Sequence, residues 1–579
     1  MNTIVQKNII ISIIYLFNIL LSANFIYFEK YWYIYIFLLG YAPLINSINV
    51  LYLWGKKILS KEERNEYIFR ENTSSYAFIV PTYNESELEL RNTLDSLTNQ
   101  LTYCNDEKLI FIVCDGKVKG KGNDISTDYI LIDKIFENNL YKKRIKKAYI
   151  TWDGNSNDID LYIGNYNNVS CVIIIKDKNY GKRDSLVLIR RLLYMYNEEQ
   201  NSHPFISKTL LNEIYITLKM NYESKIKYII GTDADTIFEK NCVDELIKEI
   251  EKRPNTVGCV GFVDISPTCS KYSPFTLYQY AEYYFAQCLK RQQQALMTHK
   301  VNCLSGCVQI LKICTETCGD KILAYFNYKP NANANIFEHI RSYASEDRNH
   351  VCLMLSEYPY VETTQTLFAN SYTVIPMNFE IFFSQRRRWT LGTISNDMLI
   401  LTRSGIKLYE RFSAFANILT FILTPFIFIA TIVFIKTIIN SASMLMLYLS
   451  IVIILPFVYA LTIPLFIKQM TFRNAIYYVF SYMFYLFSNS FMNILINGYS
   501  MWNMDKVSWG KTRTIEKEET NIEVNIETNI ETNISESIEI DTEQRIESNI
   551  ENNIENTDYE YDDYIKIYGD LYTCRESFV

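Results

Sequence analysis

The sequence predicts an α/β domain, a mainly parallel sheet covered on both sides, inserted between two groups of membrane-crossing helices. Three observations predict it. Uncharged apolar stretches of bilayer-spanning length lie at 9–28 and 31–54, then again at 412–435, 443–467 and 474–496. Between them, short apolar runs alternate with amphipathic helical segments. Directly after several of those runs stand carboxylates and glycines, where open α/β sheets hold ligands.

The first two apolar stretches follow one another with no small-residue cleavage site between them, so they read as anchors rather than a signal peptide. Basic residues orient the helices. Lys56, Lys57, Lys61 and Arg64 follow the second stretch, Arg403, Lys407 and Arg411 precede the third, and Lys468 and Arg473 separate the fourth from the fifth. The positive-inside rule then places the N-terminus and the intervening domain in the cytoplasm, with five spans in all. The thirteen cysteines have no disulfide-framework or zinc-finger spacing and are expected as reduced thiols.

Within the domain, 76–80, 109–114, 171–175 and 228–231 read as buried strands, and 85–100, 184–197 and 241–252 as helices. Segments 117–170 and 200–225 carry no assignable pattern. The net charge of −7 conceals a split: 516–563 holds 17 acidic and 2 basic residues, −15, leaving about +8 elsewhere. That tail repeats isoleucine every four residues from Ile522 to Ile538, a step that drifts around a helix and builds no lasting apolar stripe. It reads as a solvated, mostly disordered segment, with a weak coiled coil as the alternative, and is placed outside the cell by three spans after the domain. The expected organisation is 1–55 (two spans), 70–375 (catalytic domain), 376–411 (interfacial helices), 412–513 (three spans) and 514–579 (acidic tail).

Four motifs carry chemistry. Asp233-Ala234-Asp235 follows an apolar strand, and paired carboxylates on a turn suit Mg²⁺ or Mn²⁺ with substrate phosphates; alone, the pattern marks a solvated turn as readily. Lys182-Arg183-Asp184 after Gly181 reads equally as an exposed helix start or as a phosphate contact. Glu346-Asp347-Arg348 is a surface trio or a general base, Asp347, tuned by its neighbour. Phe382-Phe383-Ser384-Gln385-Arg386-Arg387-Arg388-Trp389 combines guanidinium forks, suited to a diphosphate, with an indole face, suited to a sugar ring.

Taken in order, these motifs resemble the processive family-2 glycosyltransferases, and among them the chitin synthases. Gly181-Lys182-Arg183-Asp184-Ser185, Asp233-Ala234-Asp235-Thr236, Ser384-Gln385-Arg386-Arg387-Arg388-Trp389 and Ser508-Trp509-Gly510-Lys511-Thr512-Arg513 match that family, and Cys303-Leu304-Ser305-Gly306-Cys307 nearly matches it. The resemblance covers about 80–513. Two departures stand out: Ser345 replaces the glycine usual before Glu-Asp-Arg, and Ser305 replaces a proline.

The resemblance implies a cytoplasmic GT-A-type fold with a doubly covered mixed sheet, and a multi-pass plasma-membrane enzyme. It implies polymerisation of N-acetylglucosamine from UDP-N-acetylglucosamine onto a growing β-1,4 chitin chain, with Mg²⁺ or Mn²⁺. The lipid bilayer is a partner, nucleic acid is not, and homo-oligomerisation stays open. Carried over by match, Tyr83 and Glu85 hold the uridine, Asp115 reads the uracil, Lys182 lies near the phosphates, and Asp233 and Asp235 handle the nucleotide and its metal, Asp235 as ligand. Asp347 is the base beside Glu346, Gly306, Gln385 and Trp389 hold the acceptor, and Arg388 receives the diphosphate. A cellulose- or hyaluronan-type synthase and a transporter with a regulatory domain are the rival readings.

Overall fold

A computed structural model describes residues 2–59, 70, 72–101, 106–120, 122–137, 140–331, 333–403, 405–441, 443–467 and 470–506. The acidic tail and the Ser508 to Arg513 motif lie outside the described residues.

Ten strands form one sheet: β1 (Ser75–Thr82), β2 (Glu107–Cys114), β3 (Tyr141–Ile150), β4 (Ser156–Tyr166), β5 (Val169–Lys176), β6 (Tyr228–Gly231), β7 (Thr236–Phe238), β8 (Thr256–Ile265), β9 (Gln309–Lys312) and β10 (Glu362–Thr373), in the order β3-β4-β5-β2-β1-β6-β9-β8-β10-β7. The centre, β5-β2-β1-β6, is parallel, and antiparallel partners flank it. The sheet is therefore mixed. The unassigned stretch 117–170 supplies the antiparallel extension β3 and β4.

The helices are α1 (Thr3–Tyr27), α2 (Ile36–Leu59), α3 (Glu87–Thr98), α4 (Lys182–Asn197), α5 (Lys208–Asn221), α6 (Cys242–Glu251), α7 (Pro274–Phe285), α8 (Ile336–Tyr343), α9 (Glu346–Glu357), α10 (Phe379–Thr402), α11 (Leu408–Ile422), α12 (Thr424–Ser441), α13 (Met444–Phe466) and α14 (Phe472–Trp502), with short helical turns between some of them.

Successive residues of a strand face opposite sides, and β1 buries both. Tyr76, Phe78 and Val80 join one core with Leu90, Leu94 and Leu97 of α3 and with Val243, Leu246, Ile247 and Ile250 of α6. Ala77 and Ile79 join the opposite core with Leu186, Leu188, Ile189 and Leu192 of α4 and with Leu210, Ile214 and Leu218 of α5. A strand buried on both faces reads as a continuous apolar run, which is why 76–80 shows no alternation. A third core joins domain to helices: Val50 and Leu53 of α2, Tyr278 and Tyr284 of α7, Tyr459 and Ile463 of α13, and Tyr478 and Tyr482 of α14.

Among the described residues, four helical stretches are long and apolar enough to cross a membrane: Thr3–Tyr27, Tyr33–Lys57, Met444–Phe466 and Phe472–Trp502. The span expected at 412–435 is corrected: it is two helices, α11 and α12, bent by 81°. Pro425 causes the break, because it has no N–H to offer the carbonyl of Phe421 and its ring crowds that carbonyl. Asn18 of α1 bridges the break. Its Nδ2 donates to the Ile422 carbonyl at 2.8 Å, and its Oδ1 accepts from the Phe426 N–H at 3.0 Å.

Candidate functional site

The parallel strands β5, β2, β1 and β6 end at one edge of the sheet, and the chemistry-bearing residues gather there. Tyr83 and Glu85 follow β1, Asp115 follows β2, Lys182 opens α4 after β5, and Asp233 and Asp235 follow β6. Gly181 turns the chain into α4 with φ +88°, a conformation that glycine adopts without a Cβ clash.

Lys182 stands at the centre. Its Nζ donates to Asp233 Oδ1 at 2.5 Å and lies 3.3 Å from Glu346 Oε1. The Cys307 thiol donates to the other oxygen of Asp233 at 3.2 Å. One residue earlier, the Gly306 N–H donates to Asp347 Oδ2 at 2.8 Å. A Cβ on Gly306 would sit 2.7 Å from Lys182 Nζ and 3.0 Å from both carboxylate oxygens of Asp347. A larger residue here would push the Lys182 ammonium and the Asp347 carboxylate aside, and this one short segment touches both the Asp-x-Asp turn and the Glu-Asp helix.

The carboxylates divide by environment. Burial pushes Asp347 up to about 6, against the opposing pull of Lys182. Burial also pushes Asp233 upward, but Lys182 outweighs it and holds the group below its ordinary value. Glu346 is likewise held low by Lys182 in spite of burial. Asp235 has no such cation: burial and then Asp233, Glu85 and Glu89 push it up to about 8. Glu85 rises to about 7 by burial, opposed by the Tyr83 N–H, which donates to its Oε2 at 2.6 Å.

Asp115 forms a separate corner. Its Oδ1 lies 2.6 Å from the fully buried Lys176 Nζ and accepts from the Tyr180 N–H at 3.1 Å. Its Oδ2 is buried without a hydrogen-bond partner among the described residues.

The three arginines of α10 do three different things, because successive helical residues point about 100° apart. Arg386 is buried against Glu282 and Gln279 of α7. Arg387 donates to the Asn503 carbonyl at 3.4 Å. Arg388 lies in the field of Glu346, Asp233 and Asp347, and its Nε is buried with no hydrogen-bond partner among the described residues. Asp347 Oδ1 is also buried and without a hydrogen-bond partner among the described residues. Gln385 and Trp389 are one turn apart on α10, and the indole is 39% exposed, 6.0 Å from the Tyr283 ring.

Ser345 caps α9 at φ +51°, and its hydroxyl donates to the Arg388 carbonyl at 3.1 Å. It ties the helix bearing Asp347 to the helix bearing Arg388. Cys307, which donates to Asp233, stands in the Cys303 to Cys307 motif without a role assigned there, and two contributors lie outside the motifs: Glu282 beneath Arg386, and Trp152. The last lines a cleft of about 100 Å³ with Tyr180, Lys182, Lys329, Tyr343 and Glu346. The lone Glu282 in an aromatic run is the one sequence signal among them.

The donor set fits a hard dication. Asp235 sits in an acidic excess that a cation relieves, and oxygen ligands suit Mg²⁺ or Mn²⁺. Among the described residues no three His, Cys, Asp or Glu side chains form a ready ligand cluster, so substrate oxygens would complete the shell.

The family model described as chitin synthase matches residues 52–542. The chain is 33% identical over 455 residues to chitin synthase 8 of Gibberella zeae, covering 77% of this chain and 67% of that protein. It is 31% identical over 439 residues to chitin synthase 8 of Verticillium dahliae, covering 70% and 72%. Among solved structures it is similar to the mannosyltransferase PcManGT of Pyrobaculum calidifontis in complex with GDP-Man and Mn²⁺, at 12% identity and a TM-score of 0.39, covering 78% of this chain and 99% of that one. A likeness of that degree assigns neither fold nor ligand.

Proposed function

Because the chain belongs to the chitin synthase family, we propose a division of labour among its residues for polymerising N-acetylglucosamine. The enzyme is a membrane-bound processive glycosyltransferase, and family membership sets aside the transporter reading. The donor in this reading is UDP-N-acetylglucosamine and the acceptor is the 4-hydroxyl of a growing β-1,4 chain.

Asp347 takes the proton of that hydroxyl. Its position near 6 leaves it mostly ionised at neutral pH yet basic enough to accept a proton. The Gly306 N–H orients one oxygen, and the unpartnered Oδ1 is left for the hydroxyl. The hydroxyl oxygen attacks the anomeric carbon, the bond to UDP breaks, and the configuration inverts in one displacement. Arg388, with an unsatisfied Nε, and Lys182 stabilise the charge that develops on the diphosphate. A divalent cation, when bound, would be held by Asp235 and would neutralise the same leaving group. Tyr83, Glu85 and Asp115 hold the uridine, and the free Oδ2 of Asp115 suits an N–H of the base. Gln385 and Trp389 carry the acceptor end, with Gly306 keeping the approach open.

The observation that carries this reading is the cluster in which Lys182 joins Asp233 to Glu346 while the Gly306-Cys307 segment joins Asp347 to the same Asp233. The basic residues around the helices support a cytoplasmic catalytic domain, and the plasma membrane is the membrane proposed for it. We keep 1–55, 70–375, 376–411, 412–513 and 514–579 as the proposed divisions, with the third span broken. The test is detergent-purified protein given radiolabelled UDP-N-acetylglucosamine and Mg²⁺ or Mn²⁺. A chitinase-sensitive polymer is expected. Greater incorporation from UDP-glucose, or a product that resists chitinase, would sink the reading.

A further inference from the structure

We propose that Glu282 is a positioning residue for the acceptor platform, acting on Trp389 and Gln385 through Arg386. The proposal rests on the reading of Trp389 as that platform.

The geometry is a relay. Glu282 on α7 accepts from Arg386 Nε at 3.2 and 3.1 Å through its two oxygens, and it also accepts from Nη2. Gln279, one turn earlier on α7, accepts from Nη2 at 3.1 Å. Gln279 is itself fixed, because its Nε2 donates to the carbonyls of Phe275 at 3.1 Å and Pro376 at 3.0 Å. Arg386 is 2% exposed, and its guanidinium lies over the indole of Trp389, 4.3 Å from the ring centre, and over Phe382 at 4.5 Å. Its Nη1 donates to the Gln385 side-chain oxygen.

With four of its five N–H groups engaged inside the protein, this fork has no bidentate edge left for a diphosphate. Its remaining asset is its flat face, which supports the indole. Tyr283, the residue after Glu282, meets the same indole at 6.0 Å. Two neighbours on α7 thus fix one ring, one through a cation and one directly. Trp389 is 39% exposed, and a half-exposed indole needs such support to keep one orientation while a polymer slides across it.

The experiment compares Glu282→Ala, Glu282→Gln, Trp389→Ala and the double variant Glu282→Ala/Trp389→Ala in purified enzyme. Product length, kcat and the donor KM are measured. Glu282→Ala is expected to shorten the polymer as much as Trp389→Ala does, with the donor KM within about twofold of the parent. Glu282→Gln keeps an acceptor for Arg386 and is expected to restore most of the length. The double variant is expected to be no shorter than Trp389→Ala, since the two residues act in series.

Parental length from Glu282→Ala, or shortening that compounds in the double variant, overturns the relay. So does a donor KM that moves with the length. If Glu282→Ala does not fold, Arg386→Lys replaces it: parental length from that variant overturns the relay, and shortened product supports it. Parental length from Trp389→Ala overturns the platform reading as well, so the two failures are separable.

Discussion

The backbone N–H of Gly306 and the carboxylate of Asp347 meet at 2.8 Å, where a side chain on Gly306 would displace that carboxylate and the Lys182 ammonium. Gly306→Ala should therefore cut kcat by about a hundredfold, because an added methyl displaces the base and Lys182 together. Steady-state kinetics on protein with an unchanged melting curve would check it. Near-parental turnover would show that the loop yields.

Asp347→Asn should lower turnover by about a thousandfold while leaving the protein folded, in line with the loss of a general base. The parent enzyme should lose kcat as pH falls through about 6, because the base works only when ionised and burial has raised its pKa to that value. A rate that stays flat from pH 7 to 5 would remove Asp347 from that role.

Ser345 holds a left-handed backbone at φ +51° and also donates to the Arg388 carbonyl. Ser345→Gly trades about 1 kcal/mol of relieved strain against about 1 kcal/mol of lost hydrogen bond. Ser345→Ala keeps the strain and loses the bond. The alanine variant should therefore be the less stable of the two, as thermal unfolding in detergent would report. Equal melting points would dismiss the strain.

Asn18→Leu removes the partner of two backbone groups at the helix break. A loss of about 2 kcal/mol or more is expected, read by denaturation in detergent. No change would mean that other groups cap the break.

Much of the central sheet was legible because its strands are buried on both faces and read as plain apolar runs: 76–80, 109–114, 171–175 and 228–231 all recur as strands. The β3–β4 hairpin was not. The β3 sequence Tyr141-Lys142-Lys143-Arg144-Ile145-Lys146-Lys147 lies at the sheet's edge, where lysines stay in water and no apolar alternation is needed. Hydropathy counted the length of 412–435 but not its continuity, and Pro425 was the overlooked sign. In the site, the motif residues were visible as types at a spacing. Which arginine meets which carboxylate was not, because Glu282 and Arg386 are 104 residues apart and only packing joins them.

The amide that closes the helix break reaches its partners across 404 and 408 residues of sequence. During synthesis the first helix enters the bilayer long before the elbow exists. Until Ile422 and Phe426 are made, its own helix offers Asn18 the Ile14 carbonyl, which it also reaches in the folded chain. The first helix is thus a late-acting clasp, and a chain shortened at its beginning would leave the elbow unfastened even with the catalytic domain intact.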